Sequence, residues 1–209
     1  MAGVRRRDTL IIGAGLALAS APVFARAAAA YPGPEMTLGL AKAPVHVVEY
    51  LSVSCSHCAH FNEEVFPTMK AKYIDTGKVR WTYRELLTPP QQVAAAGFLT
   101  ARCAGPGKYF NVVDEILRSQ SRWQTGNIKP IFVEIAQNNG LTEAQFEACL
   151  RDEKALEALE ARVRYGIEVD KVNGTPSFFV NGKRMTGSTV PTVADMDAAI
   201  AAAAKGGRR

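Results

Sequence analysis

Cys55-Ser56-His57-Cys58 places two thiols three positions apart, at the junction of a strand-like and a helix-like stretch. Upstream, Val45-His46-Val47-Val48-Glu49-Tyr50-Leu51 is an apolar, β-branched run of strand length. Downstream, from Ala59 to Tyr73, apolar Phe61, Val65, Phe66 and Met69 recur at helical rather than alternating spacing. Two cysteines on the first turn of a helix can close a small disulfide, and Cys55 then lies at the helix N-terminus. Unpaired backbone N–H groups and the helix macrodipole favour negative charge there. The thiolate is the nucleophile of disulfide exchange, so the motif is predicted to be a redox site. A purely structural bridge is the less favoured reading. Cys55, His57, Cys58 and His60 also make a compact Cys/His cluster. On one helical turn those side chains diverge, and no second ligand pair follows, so no metal is expected. His60 reads as an ordinary helix residue and His46 as a strand residue.

A redox disulfide needs an oxidising compartment, and the N-terminus specifies one. Arg5-Arg6-Arg7 precede an apolar stretch from Leu10 to Ala19, and Ala25-Arg26-Ala27 offers a small-x-small cleavage site. These are the parts of an export signal, too short for a stable membrane anchor, and residues 1–27 are expected to be cleaved. The paired arginines leave the twin-arginine and ordinary secretion routes both open, because Thr9 stands where an apolar residue would be expected. The expected location is the periplasm. The formal net charge is +5, and Arg5, Arg6, Arg7 and Arg26 against Asp8 carry most of it. The rest shows no basic stripe interleaved with aromatics, so nucleic-acid binding has little support. Residues 28–209 are enough for one well-buried core.

All four cysteines lie beyond residue 27. If Cys55 and Cys58 form the reactive pair, Cys103 and Cys149 remain for each other. Both fall in helical patterns: Gln91–Ala104 is alanine-rich, and Thr142-Glu143-Ala144-Gln145 is a capping box. A structural disulfide is the favoured reading, with two free buried cysteines as the alternative.

The elements around the motif follow from punctuation and period. Residues 28–44 read as an irregular lead-in, Pro67 should kink the first helix, and Asp75-Thr76-Gly77 should end it. Lys78–Arg84 alternates as a strand, and from Thr88 to Asp170 the signal is helical throughout. After Gly174-Thr175-Pro176, Ser177–Val180 reads as a strand, Asn181-Gly182 as a hairpin turn, and Lys183–Thr186 as a short partner strand. Thr192–Lys205 closes the chain as an alanine-rich helix, with Trp81 and Trp123 as core or groove-lining aromatics. The fold class is α/β, interrupted by a helical block. The expected division is 28–87 with 171–209 as one domain and 88–170 as an insertion.

Strand, CxxC, helix, helical insertion and a Gly-Thr-Pro hairpin together resemble the DsbA-like branch of the thioredoxin superfamily. The local match comprises Gly39, Ala43-Pro44, Val47-Val48-Glu49-Tyr50, Cys55-Ser56-His57-Cys58, and Asn173-Gly174-Thr175-Pro176-Ser177-Phe178-Phe179 with its following turn. The resemblance implies a thioredoxin fold with a helical insertion and a periplasmic thiol:disulfide oxidoreductase that introduces disulfides into exported proteins. It makes Cys55 the exposed nucleophile and Cys58 the buried resolving thiol. Glu49 becomes a buried acid that moves protons to and from Cys58, the alternative being a partly solvated strand-end glutamate. Pro176 should be cis against the CxxC, and Thr175 should offer backbone groups to a substrate strand. Ser56 departs from the best-known members, which carry proline, while the His57 position is retained.

A helix terminus supplies at most about 2 kcal/mol toward a thiolate. Backbone donors and His57 are therefore expected to supply the rest. The implied partners are unfolded exported proteins and a DsbB-type membrane reoxidase, with no cofactor beyond the Cys55–Cys58 disulfide. A disulfide isomerase or reductase and a copper-handling thioredoxin-fold binder are the alternatives. The lead-in is too short for a dimerisation core, so a monomer is expected. The insertion should cap the active-site face and leave a groove for an extended substrate segment.

Overall fold

The computed structural model describes Met1, Gly3 and residues 30–206. The export signal expected over residues 1–27 lies outside the described residues, Met1 and Gly3 apart. A five-stranded sheet organises the rest, in the order β1-β3-β2-β4-β5. Its strands are β1 (Met36–Leu38), β2 (Val45–Leu51), β3 (Val79–Glu85), β4 (Ser177–Val180) and β5 (Lys183–Arg184). β2 and β3 run parallel, from Val45 opposite Val79 to Leu51 opposite Glu85, while β1, β4 and β5 pair antiparallel to their neighbours. β2 is therefore central, which explains its run of apolar residues with no solvent-facing alternation.

Helix α1 (Ser56–Glu64) leaves the end of β2 and gives way at Val65 to α2 (Phe66–Met69) and a wide π-helical turn, Lys70–Ile74. Pro67 accounts for the break, since it has no N–H to continue the α1 ladder. Phe61 of α1 packs on Phe178, with ring centroids 4.6 Å apart, and stacks at 6.2 Å on Trp81. Helix α9 (Val193–Gly206) completes this layer, buried through Met196 and Ile200. The β4–β5 hairpin turns through Asn181 and Gly182, both at positive φ (47° and 78°), as the Asn-Gly pair requires.

Six helices lie between β3 and β4: α3 (Gln91–Cys103), α4 (Tyr109–Arg118), α5 (Gln120–Trp123), α6 (Ile128–Asn138), α7 (Glu143–Leu150) and α8 (Glu153–Glu168). The capping box at Thr142 and Gln145 is formed as read, and Asp152 caps α8 through Ala155 N–H. α3 presses on the strand end before the CxxC. A Cβ on Gly97 would come within 2.7 Å of the Val53 side chain, so only glycine allows that approach. Cys103 and Cys149 form a disulfide between α3 and α7, with Cα atoms 6.1 Å apart.

Two features correct the sequence reading and a third adds to it. The irregular lead-in contains β1, with Met36 opposite Tyr83, because three residues between Pro34 and Gly39 are too few to show a period. The hairpin's second strand is only Lys183–Arg184, not Lys183–Thr186. The third is a buried polar cluster. Glu85, fully buried, accepts from Arg102 Nε at 2.6 Å, Arg162 Nε at 2.9 Å, and the Tyr31 and Tyr109 hydroxyls at 3.1 and 3.2 Å. Burial alone would push its carboxyl up, but the two guanidiniums hold it below its ordinary value. This cluster ties lead-in, sheet and insertion together.

Candidate active site

Cys55 is the N-cap of α1, in an extended conformation (φ −85°, ψ 121°). Its neighbours set this up: Cys55 N–H donates to Ser52 O at 3.1 Å, and Cys55 O accepts the first helical bond from Ala59 N–H, also 3.1 Å. An N-cap side chain faces the free N–H groups of the first turn, a place usually taken by the oxygen of Ser, Thr, Asp or Asn. Here a thiolate can take it. Both cysteines are reduced, Cys55 half-buried and Cys58 buried.

Their acidities diverge. The Cys55 thiol is pulled down to about 5, first by its hydrogen bond with Cys58, against the upward pull of burial. The Thr175 side chain and the main-chain N–H groups of Cys58 and His57 add to the lowering. Cys58 moves the other way, pushed well above its ordinary value by burial and then by Cys55. His57 thus acts through its main-chain N–H. Its ring is exposed and makes no hydrogen bond among the described residues, so the expected contribution of the imidazole finds no contact here. His60 is exposed as well, whereas His46 is held neutral by burial and Arg80 on the sheet, its imidazolium pKa pulled down to about 4.

Thr175 and Pro176 close the site from β4. The Thr175–Pro176 peptide is cis. The Cys55 thiol donates to Thr175 O at 3.3 Å, and Thr175 Oγ1 is buried with no hydrogen-bond partner among the described residues. A thiolate at Cys55 would give that hydroxyl an acceptor. A cavity of about 1030 Å³ begins at Asn173–Pro176 and runs between the hairpin and α9.

Glu49 lies on β2, 2% exposed, where its Oε2 accepts from Trp81 Nε1 at 3.0 Å. Burial pushes its carboxyl up to about 8, with the Trp81 bond a smaller opposing effect. When ionised, Glu49 further weakens the acidity of Cys58. A neutral acid at pH 7 beside the resolving thiol can exchange a proton with it. The folded value lies above the ordinary 4.5, so the folded state keeps a proton that the unfolded chain releases. Stability is then full below that ordinary value and is lost as pH rises toward about 8. Glu49→Gln should remove this dependence, making the reduced protein more stable by about 3 kcal/mol at pH 7 and nearly unchanged at pH 4. Urea unfolding at the two pH values checks it, and an equal change at both would contradict a buried, protonated Glu49.

Several residues that build the site escaped the sequence reading. Ser52 Oγ and Ser54 Oγ lie 3.0 Å apart, Ser54 Oγ donates to Thr88 O at 2.8 Å, and Thr88 N–H donates to Ser52 Oγ at 3.2 Å. This network holds the strand end against the loop into α3, which carries a second cis bond, Pro89–Pro90. The small polar residues flanking the motif were the available signal. Gln120 of α5 reaches the same backbone from the insertion, and its 65-residue separation from Cys55 left no local signal.

A thioredoxin family model matches residues 32–202. The chain belongs to the thioredoxin family. It is 36% identical over 169 residues to a Rickettsia bellii protein named "Putative protein-disulfide oxidoreductase", covering 79% of this chain and 64% of that one. The chain thus spans just under two thirds of that relative's length. The crystal structure of Wolbachia pipientis alpha-DsbA1 superposes with a TM-score of 0.73 at 24% identity, covering 83% of this chain and 92% of that one. Oxidised BdbD from Bacillus subtilis gives a TM-score of 0.73 at 18% identity, covering 82% and 93%. The fold is the expected one: a thioredoxin sheet and helices with a helical block inserted between β3 and β4.

Proposed function

We propose that this protein is an exported thiol:disulfide oxidoreductase that oxidises dithiols in unfolded secreted proteins. One observation carries the reading: two adjacent thiols pushed in opposite directions, with the more acidic one at the helix N-terminus. In the oxidised form a substrate thiolate attacks Cys55 Sγ, and Cys58 leaves as the thiol after taking a proton, for which Glu49 is the nearby acid. A second substrate thiolate then attacks the substrate sulfur of the mixed disulfide and expels Cys55 as a stabilised thiolate. The substrate loses two electrons, and the Cys55–Cys58 disulfide gains them. Thr175, whose carbonyl lies 3.3 Å from Cys55 Sγ, gives an extended substrate segment peptide groups within reach of the mixed disulfide.

The resemblance to DsbA-like proteins supports a periplasmic location and reoxidation by a DsbB-type membrane partner. Among the described residues no helix is long and apolar enough to cross a membrane. The protein is expected to be a monomer that oxidises a reduced, unfolded substrate quickly and rescues a scrambled one poorly. Light scattering with paired oxidative and isomerisation refolding assays tests this. A stable dimer or trimer with efficient rescue of scrambled substrate would replace the oxidase reading with an isomerase.

A further inference from the structure

Gln120 is a buried polar side chain of the insertion whose amide nitrogen points out of its own domain. Nε2 donates one hydrogen to Val53 O at 2.9 Å and the other to Cys55 O at 3.1 Å. Those carbonyls flank Ser54 on the two sides of the turn into the CxxC. The Cys55 carbonyl already accepts from Ala59 N–H, so Gln120 occupies its second lone pair. α5, which presents Gln120, is itself braced. Ser119 Oγ donates to Ile116 O at 2.9 Å, and buried Trp123 packs edge-on against Phe132 of α6, centroids 6.5 Å apart.

We infer that Gln120 is a positioning residue: from the insertion it fixes the Val53–Cys55 backbone and so holds Cys55 Sγ against the N–H groups of His57 and Cys58. Rotation of the Cys55–Ser56 peptide would swing the first turn of α1 away from the sulfur. The two bonds from one planar amide oppose that rotation. Neither Ser52 nor Ser54 does the same, since their hydroxyls tie the preceding strand end to Thr88 rather than the Cys55 carbonyl. The insertion is thereby a structural support of the nucleophile. The inference rests on Cys55 being the activated thiol.

The test uses Gln120→Met and Gln120→Leu, which approximate the side chain's volume, add no charge and remove the donors to both carbonyls. Alkylation of the reduced protein by iodoacetamide is followed across pH, beside a thermal melt. With the donors gone, Cys55 should titrate about one unit higher, so alkylation at pH 4 slows about 10-fold while the rate at pH 8 barely changes. A melt that shifts while the pH profile superimposes on the parent's overturns the inference and leaves Gln120 a purely structural residue. The parent's own profile tests the reading beneath it: a parent Cys55 that titrates as an ordinary thiol removes the activated nucleophile whatever the variants do.

Discussion

Replacement of Cys55 by serine should abolish dithiol oxidation, with turnover falling at least about 10³-fold, because a hydroxyl neither forms the exchangeable bond nor ionises near neutrality. Cys58→Ala should be equally inactive in turnover for a different reason. The variant cannot form the Cys55–Cys58 disulfide that accepts the substrate's two electrons. Cys55 still attacks a substrate disulfide and, with no Cys58 thiol to release it, that adduct should accumulate on non-reducing gels. The Cys58 contact is the largest cause of the Cys55 shift, so Cys58→Ala should also move the Cys55 titration upward from about 5. Cys58→Ser, which keeps an O–H donor, should move it less. Residual turnover in Cys55→Ser, or mixed disulfides formed through Cys58 instead, would reverse the assignment of the two sulfurs.

The second large effect concerns stability alone. Cys103 and Cys149 are 46 residues apart in sequence and join the C-terminal end of α3 to α7. In the chain-entropy picture, closing a loop of that length contributes about 4 kcal/mol by restricting the unfolded chain. Cys103→Ser/Cys149→Ser should therefore be less stable by about that free energy in denaturant unfolding and keep most of its oxidase activity. The insertion loses a clamp, while the Gln120 bonds and the CxxC turn keep theirs. Peptide mapping without reduction should recover the Cys103–Cys149 link in the parent. Two free thiols there would refute the bridge, and loss of activity without loss of stability would give the pair a regulatory role.

Much of this molecule is legible along the chain because its signals are local. β2 and β4 appear at their read bounds, the break after α1 follows from Pro67, and Asn181-Gly182 turns as that dipeptide turns elsewhere. The Cys103–Cys149 pairing could be anticipated by elimination once the CxxC was set aside. What escaped is set by contacts distant in sequence. β1 exists because Met36–Leu38 finds the open edge of β3, and three residues alone carry no period. Glu85 is invisible as a strand-end acid until Arg102, Arg162 and two tyrosines from separate segments converge on it. Gln120 reads as a surface glutamine, and only the packing of the insertion over the active-site turn gives it a partner. His57 is expected to help stabilise the thiolate, and its main-chain N–H does so while its side chain is exposed.

The central claim is that one thiol of the pair is a stabilised thiolate and the other a buried, reluctant one. Alkylation of the reduced protein across pH, with each cysteine quantified separately by mass spectrometry, tests it most directly. Cys55 should titrate near about 5 and Cys58 should stay almost unreactive through neutral pH. Equal labelling of the two, or a Cys55 that titrates like a free thiol near about 8.5, would contradict the account.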